Sequence, residues 1–309
     1  MNHQNHIKYL LLLTMVFLFS CNSNETAISV DLNDTVEFGA NKQNTSPSPD
    51  KNTFYFGFDI RATPQEDAKQ YLPFLNYLSH ETGYQFKLKF TPTGKSISEQ
   101  LGLGMVHFAS IGATSYILSN IQYDTVALVR GRNQHNKAEY QSALVIANNS
   151  SIKQLSDIKN KVFAFGSRTS TQGHLIPRIM LASNNIKLEH LKSYQYTGSH
   201  INCANAVLFG EADICGMQDT MAKEFQKKGQ LRILTLSEYF PSSGIAANKD
   251  IPPEIVKNVT QALINFDPTG KHANKLYHWA STEMPNGFIK ASDHDYEKLR
   301  GWMSKLKLN

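Results

Sequence analysis

Between residues 165 and 178 the chain reads FGSRTSTQGHLIPR. Four hydroxyl side chains, Ser167, Thr169, Ser170 and Thr171, stand with Gln172 and Gly173 between an apolar run, KVFAF, and a stretch with helical spacing, LIPRIMLA. Hydroxyls donate as well as accept, a glycine lets backbone approach a ligand closely, and a helix start offers unpaired N–H groups at the positive end of its dipole. Together they describe a cradle for an oxyanion. Plain N-capping by Ser170 or Thr171 accounts for the same residues, and local sequence leaves both readings open.

Two other junctions could aim donors at the same place. IGATSYIL sets small residues and Tyr116 at one strand-to-helix turn, and YTGSHINCANAV sets Gly198, Ser199 and His200 at another. His200 suits either a packed histidine or a charged donor to an anion. GEADICGMQD adds Asp213 and Asp219 at and after a strand. A carboxylate repels a fully ionised anion but accepts a bond from a protonated P–OH, which would separate a hydrogen phosphate or phosphonate from sulfate. Bonds to nearby backbone N–H groups are the competing explanation for both aspartates. Ser170, His200 and Asp213 also form a nucleophile, base and acid in name. Ser170 lacks the G-x-S-x-G elbow, and such a trio occurs in most chains of this length, so an enzyme is not the reading taken.

The elements that must position these residues alternate in type. FYFGFDI, YQFKLKF, VHFAS and YDTVALV read as strands, separated by helical stretches such as PQEDAKQYLPFLNYLSHETG. YQSALVIAN, KVFAF, SYQYT, ADICG and LRILTLS continue the alternation, GIAANKD returns as a strand, and helices are expected at 253–265 and 293–306. This βα repetition calls for an α/β fold with mostly parallel sheets flanked by helices. So many strands suit two lobes better than one open sheet. The chain would cross between them near 140–148 and 238–248, giving one lobe from 54–143 with 245–309 and another from 144–244.

The first residues, MNHQNHIKYLLLLTMVFLFSC, place one Lys ahead of an apolar run too short to span a bilayer but right for a signal peptide, expected over 1–20. The run ends in Leu18-Phe19-Ser20-Cys21, which resembles the bacterial lipobox, so Cys21 is the expected lipidation site and the chain an anchored periplasmic protein. Residues 21–53, rich in Asn, Ser, Thr, Asp and Pro, read as a disordered tether. The 309 residues carry 31 basic and 26 acidic side chains without a long run of either, and the net charge of +5 gives no footprint for nucleic acid. Cys203 and Cys215 lie in apolar stretches, where a small buried hydrophobe is favoured over a disulfide.

YLPFLNYLSHETGYQ, GATSYIL, YQSALVIAN, STQGHLIP, TGSH, GEADICG and FPSSGIAAN, in that order, resemble the phosphate/phosphite/phosphonate-binding proteins of ABC transporters over residues 54 to 265. Ser170-Thr171-Gln172-Gly173 with Pro177 is similar to that family's S-T-S-G-x-x-x-P anion loop, with Gln172 at its third hydroxyl position. The resemblance implies a type II periplasmic-binding fold, two lobes joined by crossing strands that close over the ligand. It assigns ligand roles to Tyr116, Ser170, Thr171, Gln172, Gly173 and His200, with Asp213 and Asp219 as acidic candidates. Around Thr91 to Lys95 the sequence is TPTGK, with no Tyr where the family's other first-lobe aromatic usually stands. The implied partners are a small phosphorus-containing anion, an ABC permease and the lipid anchor. No cofactor, metal or nucleic acid is expected, and the chain is expected to be a monomer. A sensor, or a binder of sulfonate or a phosphorylated metabolite, is the alternative on the same fold.

Overall fold

The computed structural model describes residues 52–58, 64–92 and 94–308; the expected signal peptide, Cys21 and nearly all of the expected tether lie outside the described residues. β1 (Thr53–Phe58) buries Phe54, Phe56 and Phe58, every second residue, on one face of a sheet. α1 (Pro64–Thr82) begins with Pro64 and the acidic pair Glu66 and Asp67, suited to the positive end of a helix. It buries Tyr71, Phe74, Leu75 and Leu78, an i, i+3, i+4, i+7 stripe. Gly83, at φ +75°, ends it in the left-handed conformation that a glycine adopts without strain. β2 (Gln85–Leu88), α2 (Ile97–Gly102), β3 (Phe108–Ile111), α3 (Ala113–Tyr123) and β4 (Val126–Gly131) complete the first run.

The second run is β5 (Glu139–Tyr140), β6 (Ser142–Ala147), β7 (Val162–Phe165), α4 (Ile176–Ser183), β8 (Ser193–Tyr196), α5 (His200–Leu208), β9 (Ile214–Gln218), α6 (Asp219–Lys227) and β10 (Leu231–Leu236). β11 (Phe240–Pro241), β12 (Gly244–Ala247), α7 (Pro253–Asn265), β13 (Phe288–Lys290) and α8 (Glu297–Lys305) close the chain. The helix expected at 293–306 is regular only from Glu297, after a 3₁₀ turn over Asp293–Tyr296. β13 has no counterpart among the expected strands.

The strands form two main sheets, ordered β13-β4-β12-β3-β1-β2 and β10-β6-β9-β7-β8. In the first, β1, β2, β3 and β4 share one direction, and β12 and β13 run against them. In the second, β7, β8, β9 and β10 share a direction, and β6 opposes them. Mostly co-directional strands are what βα repetition demands; the opposed β6 and β12 are those that follow a passage between the sheets. The two passages pair with each other, Tyr140 opposite Phe240 and Glu139 opposite Pro241. Gly244 is required where β12 slides between β3 and β4, because a Cβ there would fall onto the carbonyl oxygen of Val129.

The first sheet is covered by an aromatic core in which Phe74 stacks on Trp279 at 4.9 Å and meets Phe266 at 5.1 Å. Burying each such ring stabilises the fold by about 2 kcal/mol. The second sheet buries both faces: on β6, Leu144 and Ile146 point to one core, and Ala143 and Val145 to another beneath α5. Here the sequence reading needs correcting. Cys203 on α5 and Cys215 on β9 are fully buried, but they are bonded to each other, with Cα atoms 5.6 Å apart. α5 packs directly on β9, which brings the two within disulfide reach.

Candidate anion-binding cleft

A cavity of about 520 Å³ is lined by the N-cap residues of several helical segments: Ser96 before α2, Gly112 before α3, Ser170, Ser199 before α5 and Gln218 before α6. Helix starts leave N–H groups unpaired and carry the positive dipole end, so their convergence favours an anion. Three caps bond in the expected way. Ser170 Oγ accepts from Gly173 N at 2.9 Å, Ser199 Oγ from Asn202 N at 3.1 Å, and Ser96 Oγ from Glu99 N at 3.2 Å. Each cap uses an oxygen lone pair and keeps its hydroxyl hydrogen. Capping and ligand donation, which the sequence left as alternatives, are therefore compatible. A hydrogen bond to a charged group is worth about 1.5–3 kcal/mol, against about 0.3–1 kcal/mol for an exposed helix terminus; the hydroxyls outweigh the dipoles.

The loop that carries Ser170 is held from behind. Thr171 to Leu175 form a single wide π-type turn that runs into α4, with Pro177 in the first turn of that helix. Gly166 N donates to Gly173 O at 2.8 Å. A Cβ on Gly173 would meet Ser170 Oγ at 2.9 Å, His200 Cε1 at 3.0 Å and Gly166 Cα at 3.2 Å, so only glycine fits. His174, 3% exposed, places Nδ1 2.7 Å from Arg168 O and Nε2 3.0 Å from Tyr196 Oη. Burial pushes its pKa down to about 4, so it is neutral: Nδ1–H donates to the carbonyl and Nε2 accepts from the phenol. Arg168 in turn lies 4.0 Å over the Tyr196 ring. Thr171 Oγ1 accepts from Thr114 N of α3 at 2.9 Å, a buried bond linking the loop to the first sheet's layer of helices.

Of the residues singled out in the sequence, Ser170, Thr171, Gln172 and His200 line this cavity. Gly173 stands behind them and supplies the close packing just described. Tyr116 does not line it. Its hydroxyl donates to Asp293 at 3.0 Å and its ring packs on Tyr296 at 4.6 Å, because α3 presents only its start to the cleft and turns Tyr116 toward α8. Burial and the Asp293 carboxylate push its phenol well above the ordinary value. Asp213 is also elsewhere: it precedes β9 and accepts from Val162 N, the first residue of β7, at 2.8 Å. That is the end of these parallel strands opposite the Ser170 loop. Asp219, the first residue of α6, pairs with Lys223 at 2.8 Å and lines an adjoining cavity of about 630 Å³ rather than the cleft. With Ser170 Oγ on Gly173 N and Asp213 on Val162 N, the nominal catalytic trio is not assembled.

The cleft also holds residues that the sequence did not single out, among them Thr91, Lys95, Ser243, Glu283, Phe58 and Tyr140. Phe58 and Tyr140 supply the aromatic wall that TPTGK lacks. Phe58 ends β1 and Ser243 adjoins β12, so a search of all strand ends would have found them; Glu283 lies in an irregular segment with no such signal. Lys95, which lines the cleft, bonds Glu99 at 3.0 Å. Among the described residues no cluster of three metal-ligating side chains occurs, and no helix is long and apolar enough to cross a membrane.

The chain is similar to known proteins along most of its length. Residues 56–296 match the family described as ABC transporter, phosphonate, periplasmic substrate-binding protein. The probable ABC transporter phosphite binding protein PhnD1 of Prochlorococcus marinus is 22% identical over 267 residues, 81% of this chain and 82% of that protein. The phosphate-import protein PhnD of Mycolicibacterium smegmatis is 23% identical over 267 residues, 78% of this chain and 83% of that protein. The structure of the Prochlorococcus PhnD1 in complex with methylphosphonate superposes with a TM-score of 0.74 at 17% identity, covering 84% of this chain and 99% of that one. A cleft ringed by helix starts thus sits in a chain whose sequence matches one family along most of its length, and on that match the chain belongs to the periplasmic substrate-binding proteins of phosphonate ABC transporters, a binding component rather than an enzyme.

Proposed function

We propose that the chain captures a phosphorus oxyanion, a phosphonate, phosphite or phosphate, by closing two lobes around it, and presents the closed form to a membrane permease. The lobes are residues 54–143 with 245–309, and residues 144–244. One observation carries the reading: helix starts from both layers converge, with their cap hydroxyls, on a single cavity. Ser170, Thr171 and Ser199 donate from one side, the starts of α2 and α3 from the other, and His200 adds a ring N–H. The Thr171–Thr114 bond supports closure, since it joins the anion loop to the opposite helix layer. Binding energy from contacts made only in the closed form is what shifts such a protein toward closure. A lipid on Cys21 with the tether to residue 53 keeps a monomeric carrier at the membrane that holds its permease.

The test is calorimetric titration of residues 52–309, stripped of ligand, with phosphate, phosphite, methylphosphonate, 2-aminoethylphosphonate and sulfate. Tight binding of one phosphorus oxyanion with sulfate silent is the expected result and names the cargo. Binding of sulfate alone, or silence across the panel, would overturn the reading.

A further inference from the structure

Gln172 is the one member of the hydroxyl-rich loop that brings a carboxamide to the cleft, and the structure fixes which way it faces. The residue is 3% exposed. Its Nε2 lies 2.8 Å from Gln141 O and 3.4 Å from Asp219 Oδ1. Both partners are acceptors, so the nitrogen must be the atom that faces them, and both of its hydrogens are engaged. Lys223 Nζ donates to Asp219 Oδ2 at 2.8 Å and holds that carboxylate in place. Ser142 Oγ donates to Gln172 O at 2.6 Å, which pins the backbone as well. Gln141 and Asp219 line the adjoining cavity and not the cleft, whereas Gln172 lines both. The carboxamide has no donor left for a ligand in the cleft. What remains is Oε1, an acceptor, on the opposite edge of the group.

On the reading of the cleft as an oxyanion site, we propose that Gln172 Oε1 accepts a hydrogen bond from the remaining P–OH of the bound ligand. Gln172 is then a specificity-determining residue that favours a singly protonated phosphorus oxyanion over a fully ionised one. An ionised oxygen would set its lone pairs against those of Oε1 and leave a buried acceptor unpaired, whereas a P–OH satisfies both groups. The acceptor role that the sequence suggested for Asp213 or Asp219 passes to Gln172, with Asp219 as the residue that orients it.

The charged or titratable groups that line the two cavities Gln172 shares are Asp219 and Lys223 on α6, Tyr140 on β5, Glu283 ahead of β13, His200 on α5 and Lys95 ahead of α2, together with His135, Glu139, Glu224 and Tyr239 on the adjoining side. His174, on the same turn, stays neutral because burial pushes its pKa down to about 4. His200 lines the cleft in every variant, so the comparison is made between proteins that share it.

The test measures the affinity of the purified full-length protein for methylphosphonate and methanesulfonate between about pH 6 and about pH 9. It uses the wild type, Gln172→Ser and the near-isosteric Gln172→Met, so that a folding defect in one variant leaves the other. Methylphosphonate loses its second proton in this range, and methanesulfonate carries none. For the wild type, methylphosphonate affinity should fall about tenfold per pH unit above the ligand's second ionisation. In both variants the fall should shrink by more than half, and the preference for methylphosphonate over methanesulfonate should narrow about tenfold. Slopes and preferences unchanged in the folded variants would overturn the role of Gln172 while leaving the oxyanion site standing. Absence of methylphosphonate binding to the wild type at every pH would overturn the site and this inference with it.

Discussion

Lowering the pH from about 7 to about 4.5 will destabilise this fold through His174. The imidazole is buried and bonded at both nitrogens, to Arg168 O at 2.7 Å and Tyr196 Oη at 3.0 Å, and burial pushes its pKa from the ordinary 6.5 down to about 4. The unfolded chain, with its ordinary histidine, therefore binds the proton first as the pH falls. The stabilising contribution of the neutral ring is complete above about pH 6.5, is lost progressively below it, and levels off below about pH 4. A gap of about 2.5 pH units caps the loss at about 3.4 kcal/mol, and about 2.5 kcal/mol of it is gone by about pH 4.5. Urea unfolding of the wild type and of His174→Gln across this range isolates the effect, because every other titrating group is common to both proteins and cancels in the difference. The variant starts less stable at neutral pH but should lose about 2.5 kcal/mol less on acidification. Parallel loss in the two proteins, within about 0.5 kcal/mol, would refute the reasoning. The ring sits behind Ser170 and Thr171, so anion affinity should weaken over the same interval.

Thr171→Val removes both the bond to Thr114 N and a hydroxyl facing the cavity, so anion affinity should drop at least about tenfold by calorimetry, with a loss of about 1–3 kcal/mol in urea unfolding from the unpaired Thr114 N–H; unchanged affinity would remove Thr171 from the cradle. Cys203 and Cys215 close a short loop, their sequence separation being 12, and losing the bond, by reductant or by Cys203→Ala with Cys215→Ala, should cost about 2–3 kcal/mol in urea unfolding. Equal stability with and without reductant would show that the bond does not form in solution.

The alternation of elements was legible because it depends on periodicity that each segment carries by itself: of the face expected for α1, Tyr71, Leu75 and Leu78 are buried while Leu72 is exposed and Phe74 takes its place, and α7 spans the expected 253–265. That Ser170, Thr171 and His200 line the cleft was legible because a strand-to-helix junction is both a local pattern and a place where ligands collect. What local pattern does not hold is which end of a strand, or which side of a helix, a residue occupies after folding. Asp213 stands at the wrong end of β9, and Tyr116 is only three residues beyond the start of a helix whose tip alone meets the cleft. Tyr140 and Glu283 reach the site through the passage between sheets and an irregular segment, which only tertiary packing fixes. The disulfide was missed for the same reason, since two buried cysteines read alike in sequence whether they are 5.6 Å apart or far apart.

The place of β12 governs the order in which the molecule can be built. It pairs with β3 on one side and β4 on the other, so until Gly244–Ala247 has emerged the first sheet is two fragments with unpaired inner edges. The second sheet has no such debt to the rest of the chain: all its strands lie between Ser142 and Leu236, with shorter loops to close. Folding should therefore begin in the inserted half, with the earlier-made β1, β2 and β3 waiting for a strand encoded after it. A chain cut after β10 would keep a complete second sheet yet lose the strand that joins the halves of the first.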